Sequence, residues 1–184
     1  MPEIALFGGS FDPPHVGHLL AAAYVLATEP IDELWLVPVF EHPLGKKAAA
    51  PFEHRVELCE KLAQSLPRTR VSRAEQESGK ARTVDLLEWL DAGHPGTNFA
   101  LVLGSDLDAE RSQWKNFERI KELARIIELE RGGYRKPQAA SGKPVFPEVS
   151  STDVRALLGS GGDVSHLVPR DVLAAIRAAG TYKP

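Results

Sequence analysis

Residues 8–18 read GGSFDPPHVGH and bring two glycines, an aspartate and two imidazoles together in one short stretch. Glycines directly after a strand let the backbone turn sharply and approach a ligand closely. A helix that begins nearby offers unpaired N–H groups to a phosphate. His15 and His18 are three positions apart, so both side chains project from one face of a helix. This arrangement suits phosphoryl or nucleotidyl transfer, where charge develops on phosphate oxygens and catalysis is largely positioning and electrostatic stabilisation.

A plainer interpretation of this stretch makes the glycines a simple turn and the histidines ordinary polar residues of a helix. We favour the functional interpretation because the glycines, the histidines and a predicted helix cap at Asp12 coincide. The signal differs from two familiar ones, since neither the GxxxxGK[ST] of a P-loop nor the HExxH of a zinc protease occurs in the chain. The stretch therefore predicts a phosphate site at which no protein nucleophile is required.

A second candidate phosphate site, VSSTDVR, lies near the other end of the chain. Ser151 and Thr152 can present hydroxyl groups and helix N-terminal amides to phosphate oxygens, and Arg155 adds a planar fork of donors. The alternative is a plain helix start, in which Ser150 and Asp153 form a capping pair. Because the stretch at 8–18 also predicts a phosphate site, we favour phosphate binding for this motif.

Apolar runs alternate along the chain with segments of helical period, which is typical of an α/β domain with a mostly parallel sheet. We predict a single domain over residues 1–184, with about five or six strands, helices on both faces, and an appended helical part from about residue 150 to 184. In such sheets ligands bind beyond the carboxyl ends of the strands, where the strand order switches. The predicted strands are 4–7, 34–39, 99–103, 126–129 and two short ones, near 71 and at 145–146. The predicted helices are 14–28, 52–66, 83–91, 169–179, one that follows the GSD at 104–106 and one that begins at 151.

Composition narrows the possible partners and the compartment. The 184 residues carry a formal net charge of −3, which gives no global attraction for nucleic acid or for an anionic membrane. Cys59 is the only cysteine, so no intrachain disulfide can form, and this suits a reducing cytoplasm. The chain begins without the basic and apolar segments of a secretory signal, and its longest apolar stretch is too short to cross a bilayer. We therefore expect a cytoplasmic protein that binds a small anionic ligand at a focused site.

The stretch at 8–18 resembles the GGxFDPxHxGH signature of the HxGH-type nucleotidyltransferase superfamily, and VSSTDVR resembles its [IV]SSTx[IV]R motif near the carboxyl terminus. Two distant motifs in the family's order identify the chain as a member of this superfamily. It includes the bacterial nicotinate- and nicotinamide-mononucleotide adenylyltransferases and phosphopantetheine adenylyltransferase. The resemblance implies a Rossmann-like domain in which Arg155 holds the β- and γ-phosphates of ATP.

Segments between the two motifs narrow the resemblance to the pyridine-nucleotide enzymes. Residues 83–87, TVDLL, resemble the family's [ST]YTxDTL helix start, and residues 104–106, GSD, resemble its GxD strand end. QWK at 113–115 resembles its tryptophan segment, and IELERGGY at 127–134 resembles its strand that ends in RxGY. The resemblance implies that Trp114 stacks on the pyridine ring. A tryptophan that packs a helix onto the sheet explains the same residue equally well.

The resemblance implies that the protein transfers AMP from ATP to nicotinate mononucleotide, with deamido-NAD and pyrophosphate as products. Mg²⁺ is expected to accompany the ATP, held chiefly by substrate phosphates and water. The implied catalytic residues are His15, His18, Lys46 and Arg155. The implied ATP contacts are Phe7, Gly8, Gly9, Ser10, Phe11, His15, His18, Gly104, Asp106, Ser151, Thr152 and Arg155. The implied mononucleotide contacts are Ser10, Phe11, Lys46, Arg82, Thr83, Trp114 and Arg131.

Two departures from the family pattern bear on the acceptor. The family's NxPPHK stretch after the second strand is replaced by EHPLGKK, so either Lys46 or Lys47 stands for its phosphate-binding lysine. Arg82 occupies the position of a tyrosine that usually precedes Thr83. The alternatives are nicotinamide mononucleotide, phosphopantetheine or a sugar or alcohol phosphate as acceptor, or a nucleotide-binding module without turnover. The intact HxGH histidines and the second motif argue against the module.

Overall fold

The computed structural model of the chain describes residues 1–41, 45–104, 114, 116–130 and 146–183. The strands are β1 (Glu3–Gly9), β2 (Glu33–Pro38), β3 (Thr69–Val71), β4 (Asn98–Gly104) and β5 (Ala124–Leu129). The helices are α1 (Val16–Thr28), α2 (Phe52–Ala63), α3 (Ala74–Ser78), α4 (Thr83–Gly93), α5 (Phe117–Leu123), α6 (Ser151–Gly159) and α7 (Arg170–Ala179). The strands predicted at 4–7, 34–39, near 71, 99–103 and 126–129 have counterparts, as do the predicted helices, and the short helix α3 is an addition. Of the strand predicted at 145–146, Phe146 forms only an isolated bridge, and Val145 lies outside the described residues.

The five strands form one parallel sheet in the order β3-β2-β1-β4-β5. Parallel neighbours need crossover connections, and the helices between the strands supply them. The chain moves outward from β1 to β3 and then returns to the other side of β1 with β4. The order therefore switches between β1 and β4, which is where a sheet of this kind binds its ligand.

Both faces of the sheet are buried, as predicted. Successive residues of a strand point to opposite faces, and along β1 the side chain of Ala5 joins one core while Ile4 and Leu6 join the other. The first core is closed by α1, α2, α6 and α7, and the second chiefly by α4 and α5. The carboxyl-terminal helices α6 and α7 thus contribute to the main core. Within the described part of the chain, no helix has the length and apolar character needed to span a membrane.

A crevice opens where the two central strands part. β1 pairs with β2 as far as Gly9, which lies opposite Pro38. Its pairing with β4 ends at Leu6 opposite Leu101, although β4 continues to Gly104. The last residues of β1 and β4 therefore border a gap at the carboxyl edge of the sheet, and the loop at 10–15 leaves β1 at this gap.

Candidate active site

The two signature histidines stack on each other at the start of α1, as their spacing predicted. The ring centroids of His15 and His18 are 3.8 Å apart, with 31° between the ring planes. His15 is only 2% exposed, whereas His18 is half-buried. His18 also lies against the Phe11 ring, at 4.8 Å between centroids. His18 is therefore the more accessible imidazole of the pair.

One hydrogen bond determines which ring nitrogen of neutral His18 carries the hydrogen. The backbone N–H of His15 donates to His18 Nδ1 at 3.1 Å. Because Nδ1 accepts a hydrogen bond, it carries no hydrogen of its own, and the neutral ring bears its hydrogen on Nε2. The helix start thus fixes a tautomer whose Nε2–H is a donor suited to a phosphate oxygen.

Small residues allow this packing. A Cβ added to Gly17 would lie 3.0 Å from the His15 ring, so only glycine leaves room for the imidazole at its observed position. A Cβ on Gly9 would lie 3.2 Å from the Phe11 ring. Phe11 is fully buried and has a φ of 46°, in the left-handed region that non-glycine residues rarely adopt. The glycines of the motif therefore serve the close packing of its rings.

Asp12 does not cap α1, and this prediction was wrong. The N-cap residue is His15, since two prolines separate Asp12 from the helix. The Asp12 carboxylate is 3% exposed and accepts hydrogen bonds from elsewhere in the fold. Its Oδ2 accepts from Ala49 N–H at 2.6 Å, and its Oδ1 accepts from Ala50 N–H at 3.1 Å and from the Tyr182 hydroxyl at 2.8 Å. Asp12 thus joins the loop at 10–15, called here the signature loop, to residues 49–50 and to the carboxyl-terminal tail.

Arg55 is a buried cation that the sequence patterns did not single out. It lies on α2 and is 3% exposed. Its Nη1 donates to the carbonyl oxygen of Ser10 at 2.8 Å, and its Nε donates to that of Ala50 at 3.3 Å. Arg55 and Asp12 therefore hold residue 50 from its carbonyl and its amide side. An arginine among the apolar residues of α2 was the signal for this role.

The second motif lies beside the first. Ser150 is the N-cap of α6, where its Oγ accepts from Asp153 N–H at 3.1 Å, so the predicted capping pair is present. The Ser151 hydroxyl donates to the Pro13 carbonyl oxygen at 2.9 Å. Arg155 donates from Nη1 to the Asp12 carbonyl oxygen and from Nη2 to Thr152 Oγ1 at 3.3 Å. Residues more than 130 positions apart are thus tied into one site.

Several of the side chains predicted to bind phosphate and mononucleotide are exposed or half-buried, whereas those of Phe11 and His15 are buried. Ser10, Lys46 and Lys47 are exposed. The two lysines lie on residues 45–50, the lysine loop, which is anchored by the hydrogen bonds of Ala49 and Ala50 to Asp12. Arg82 is the exposed N-cap of α4, and Thr83 is the first residue of that helix. The lysine loop and the start of α4 both follow strands on the carboxyl edge of the sheet, as the signature loop does.

The predicted stacking residue Trp114 is half-buried. Its ring meets the ring of Phe117 edge to face, with 6.1 Å between centroids, and it packs against the second core. Both the stacking and the packing interpretation are compatible with this position. Two other predicted contacts, Asp106 and Arg131, lie outside the described residues.

Glu75 is a titratable group close to the end of β2. It lies on α3, and its Oε2 accepts from the N–H of Phe40 at 2.8 Å. Burial raises the pKa of this carboxyl from 4.5 to about 7, against the opposing effects of the Phe40 N–H and the charge of Arg55. A carboxyl with a raised folded-state pKa favours folding below its unfolded value, and this contribution is lost as the pH rises through the folded value.

We expect Glu75→Gln to leave stability unchanged near pH 4.5 and to raise it at pH 8. The amide keeps an oxygen for Phe40 and carries no charge to desolvate. With allowance for partial exposure, the gain is about 1–2 kcal/mol, or roughly 3–6 °C in melting temperature. Thermal unfolding between pH 4.5 and 8 measures it, with the exposed Glu77→Gln on the same helix as control. Parallel melting curves for wild type and Glu75→Gln at every pH would contradict the expectation.

Comparisons with known proteins agree with this architecture. A family model described as cytidylyltransferase-like matches residues 6–157. A curated protein from Myxococcus xanthus, named probable nicotinate-nucleotide adenylyltransferase, is 47% identical over 182 residues that cover 98% of this chain and 94% of that protein. A protein of the same name from Thermus thermophilus is 36% identical over 188 residues, covering 98% and 100%.

A solved structure shares the fold over nearly the whole chain. The nicotinic acid mononucleotide adenylyltransferase of Plasmodium falciparum, complexed with NaAD, matches with a TM-score of 0.82 over 99% of this chain and 98% of that one. Its sequence identity is 21%, so this likeness speaks for the fold alone. With the family model and the curated relatives, the conclusion is that the chain belongs to the cytidylyltransferase-like family and, within it, to the nicotinate-nucleotide adenylyltransferases.

Proposed function

We propose that this protein transfers AMP from ATP to nicotinate mononucleotide and releases pyrophosphate. The observation that carries the proposal is the junction of the two motifs at the carboxyl edge of the sheet. There the stacked histidines of α1 lie beside the start of α6, which is bonded to the signature loop through Ser151 and Arg155. The curated relatives that match the full chain bear the name of this activity.

The reaction is an in-line displacement on the α-phosphorus. A 5′-phosphate oxygen of the mononucleotide forms a bond to this phosphorus as the bond to the bridging oxygen of pyrophosphate breaks. The Nε2–H of His18 donates to phosphate oxygens on which charge develops. A donor that is already in position stabilises the transition state strongly, because it need not reorganise during the reaction. Arg155 and a lysine of the 45–50 loop neutralise the leaving pyrophosphate. No residue of the protein forms a covalent intermediate.

Mg²⁺ is proposed to arrive with ATP. Among the residues that the structure describes, no group of three or more histidine, cysteine, aspartate or glutamate side chains could hold a metal ion. The buried carboxylate of Asp12 is already engaged by two amides and a phenol. In this proposal substrate phosphates and water carry the ion, which is the usual coordination of Mg²⁺ in nucleotide enzymes. The ion supplies charge neutralisation to the triphosphate when bound.

The acid form of the acceptor is favoured by the start of α4. We propose that the first-turn amides of α4, which follow Thr83, donate to the pyridine carboxylate, since a helix N-terminus favours an anion. The nicotinamide form would turn its own donor toward these donors and leave one group unpaired. We expect roughly 5- to 150-fold higher kcat/KM for nicotinate mononucleotide, which corresponds to about 1–3 kcal/mol.

Pyrophosphate release with ATP and a panel of acceptors tests the proposal. The panel contains nicotinate mononucleotide, nicotinamide mononucleotide and phosphopantetheine at fixed ATP concentration. Release with the first acceptor and formation of deamido-NAD are the expected results. Equal kcat/KM for the acid and the amide would reject the specificity, and no release with any acceptor would reject the adenylyltransferase activity itself.

We expect Trp114→Ala to weaken the mononucleotide and to spare ATP. If the indole stacks on the pyridine ring, its removal raises the KM for nicotinate mononucleotide roughly tenfold, the effect of one lost ring stack, and changes the KM for ATP less than twofold. Trp89→Ala, which removes an indole that is 37% exposed on α4, is the control. A loss of about 3–5 kcal/mol in unfolding free energy, with both substrates affected alike, would instead assign Trp114 to packing.

A further inference from the structure

Tyr182 reaches the signature loop from the carboxyl-terminal tail, 170 positions away. Its hydroxyl donates to Asp12 Oδ1 at 2.8 Å, beside the Ala50 N–H that donates to the same oxygen. Asp12 is the only carboxylate among the buried residues of the described chain. The phenol is therefore the third hydrogen-bond donor to a carboxylate that already ties the signature loop to the lysine loop.

The backbone conformation of the tail places this phenol beside Asp12. The C-cap residue of α7, Gly180, has a φ of 66°, and Tyr182 has a φ of 61°, so two of three successive residues are in the left-handed region. Between them, Thr181 Oγ1 lies 3.0 Å from His54 Nε2 on α2. A left-handed conformation at a non-glycine residue costs free energy and persists only where surrounding contacts hold it. The contacts to His54 and Asp12 hold it here.

The Tyr182 phenol is a permanent donor. Burial and the nearby Asp12 raise its pKa well above the ordinary value, so the hydroxyl keeps its proton at every working pH. Nη1 of Arg155 lies 3.8 Å from Asp12 Oδ2, beyond hydrogen-bonding distance, and donates to the Asp12 carbonyl oxygen. The carboxylate is thus served by the phenol and two amides, while the guanidinium is held beside it and is 30% exposed.

We propose that Tyr182 is a positioning residue for the adenylyl transfer, which keeps Arg155 available to the triphosphate by completing the hydrogen bonding of Asp12. This inference rests on the proposed function, in which Arg155 binds the triphosphate. With the phenol in place, Arg155 and Asp12 form only a long ion pair of 3.8 Å, and a closer, hydrogen-bonded pair gains little. Without the phenol, Asp12 Oδ1 lacks one donor, and the guanidinium that lies 3.8 Å from Oδ2 can move to replace it.

Tyr182→Phe tests the inference, because it removes the hydroxyl and keeps the ring. We expect kcat/KM for ATP to fall roughly five- to tenfold, the effect of one buried hydrogen bond, while the KM for nicotinate mononucleotide changes less than twofold. The matched control is Tyr24→Phe. Tyr24 is a half-buried tyrosine that packs on Phe146 in the same core, at 5.5 Å between ring centroids, and its kinetics should equal those of the wild type.

A double-mutant cycle separates positioning from structural support. If Tyr182 acts through Arg155, Tyr182→Phe has no further effect on ATP in an Arg155→Ala background. Additive losses would overturn the inference, as would a Tyr182→Phe protein that loses thermal stability but retains wild-type kinetics. The same cycle is measured by calorimetric binding of α,β-methylene-ATP, a readout that needs no turnover.

The binding measurement keeps the two hypotheses distinct. A wild-type protein that binds the analogue but releases no pyrophosphate would reject the proposed function. In that case the cycle on analogue affinity still decides the inference. Positioning is supported if Tyr182→Phe weakens binding of the analogue in the wild-type background but has no effect on it in the Arg155→Ala background. The inference is overturned if Tyr182→Phe and the wild type bind the analogue with equal affinity.

Discussion

His18→Ala is expected to lower kcat roughly 100-fold or more while the protein stays folded. The loss of one preorganised donor to transition-state charge has an effect of this size. The half-buried ring is held by the amide of His15 in the tautomer that carries its hydrogen on Nε2. Alanine removes that donor and leaves the helix start, so unfolding free energy should fall only by about 1 kcal/mol, the cost of a lost cap contact.

Steady-state kinetics and thermal unfolding of the same sample measure both effects of His18→Ala. His94→Ala is the matched control, because His94 is also half-buried against aromatic rings but precedes β4 at the opposite edge of the sheet. It should lose some stability and keep its kcat. A folded His18→Ala enzyme with turnover near that of the wild type would show that this imidazole does not stabilise the transition state.

Asp12→Asn is expected to reduce the unfolding free energy by about 2–4 kcal/mol. The carboxylate is 3% exposed and accepts three hydrogen bonds, from the amides of Ala49 and Ala50 and from Tyr182. Asparagine has the same shape but offers one oxygen, and its NH₂ group faces groups that are themselves donors. Each buried donor left without an acceptor costs about 1–3 kcal/mol.

Chemical denaturation of Asp12→Asn, alongside an exposed control, measures this cost. Asp32→Asn serves, because Asp32 is exposed and its Oδ2 accepts a single backbone N–H from Glu3 at 2.7 Å, which an amide oxygen can also do. The control should lose less than about 1 kcal/mol. A stability of Asp12→Asn equal to that of Asp32→Asn would mean that the buried carboxylate is not required to join these segments.

The order of elements was predictable because it depends on local patterns. Apolar runs such as 99–103 identify buried strands, and helical spacing in residues 52–66 identifies an amphipathic helix, whatever the chain does elsewhere. That His15 and His18 lie together was also predictable from their three-residue spacing, although His15 is the N-cap residue of α1 and not within the helix as predicted. In the same way the capping pair at Ser150 follows from a local sequence pattern.

Residue types and spacing along the chain thus determined by themselves the α/β class, the two motifs and the pairing of His15 with His18. Only the tertiary structure decided what Asp12 does, because its amide partners lie 37 and 38 positions away and its phenol partner 170 positions away. By local pattern an aspartate before a helix is a cap, and nothing within its own segment marks it as a buried acceptor. Arg55 and Tyr182 were missed for the same physical reason, since a buried polar side chain is defined by the distant groups that satisfy its hydrogen bonds.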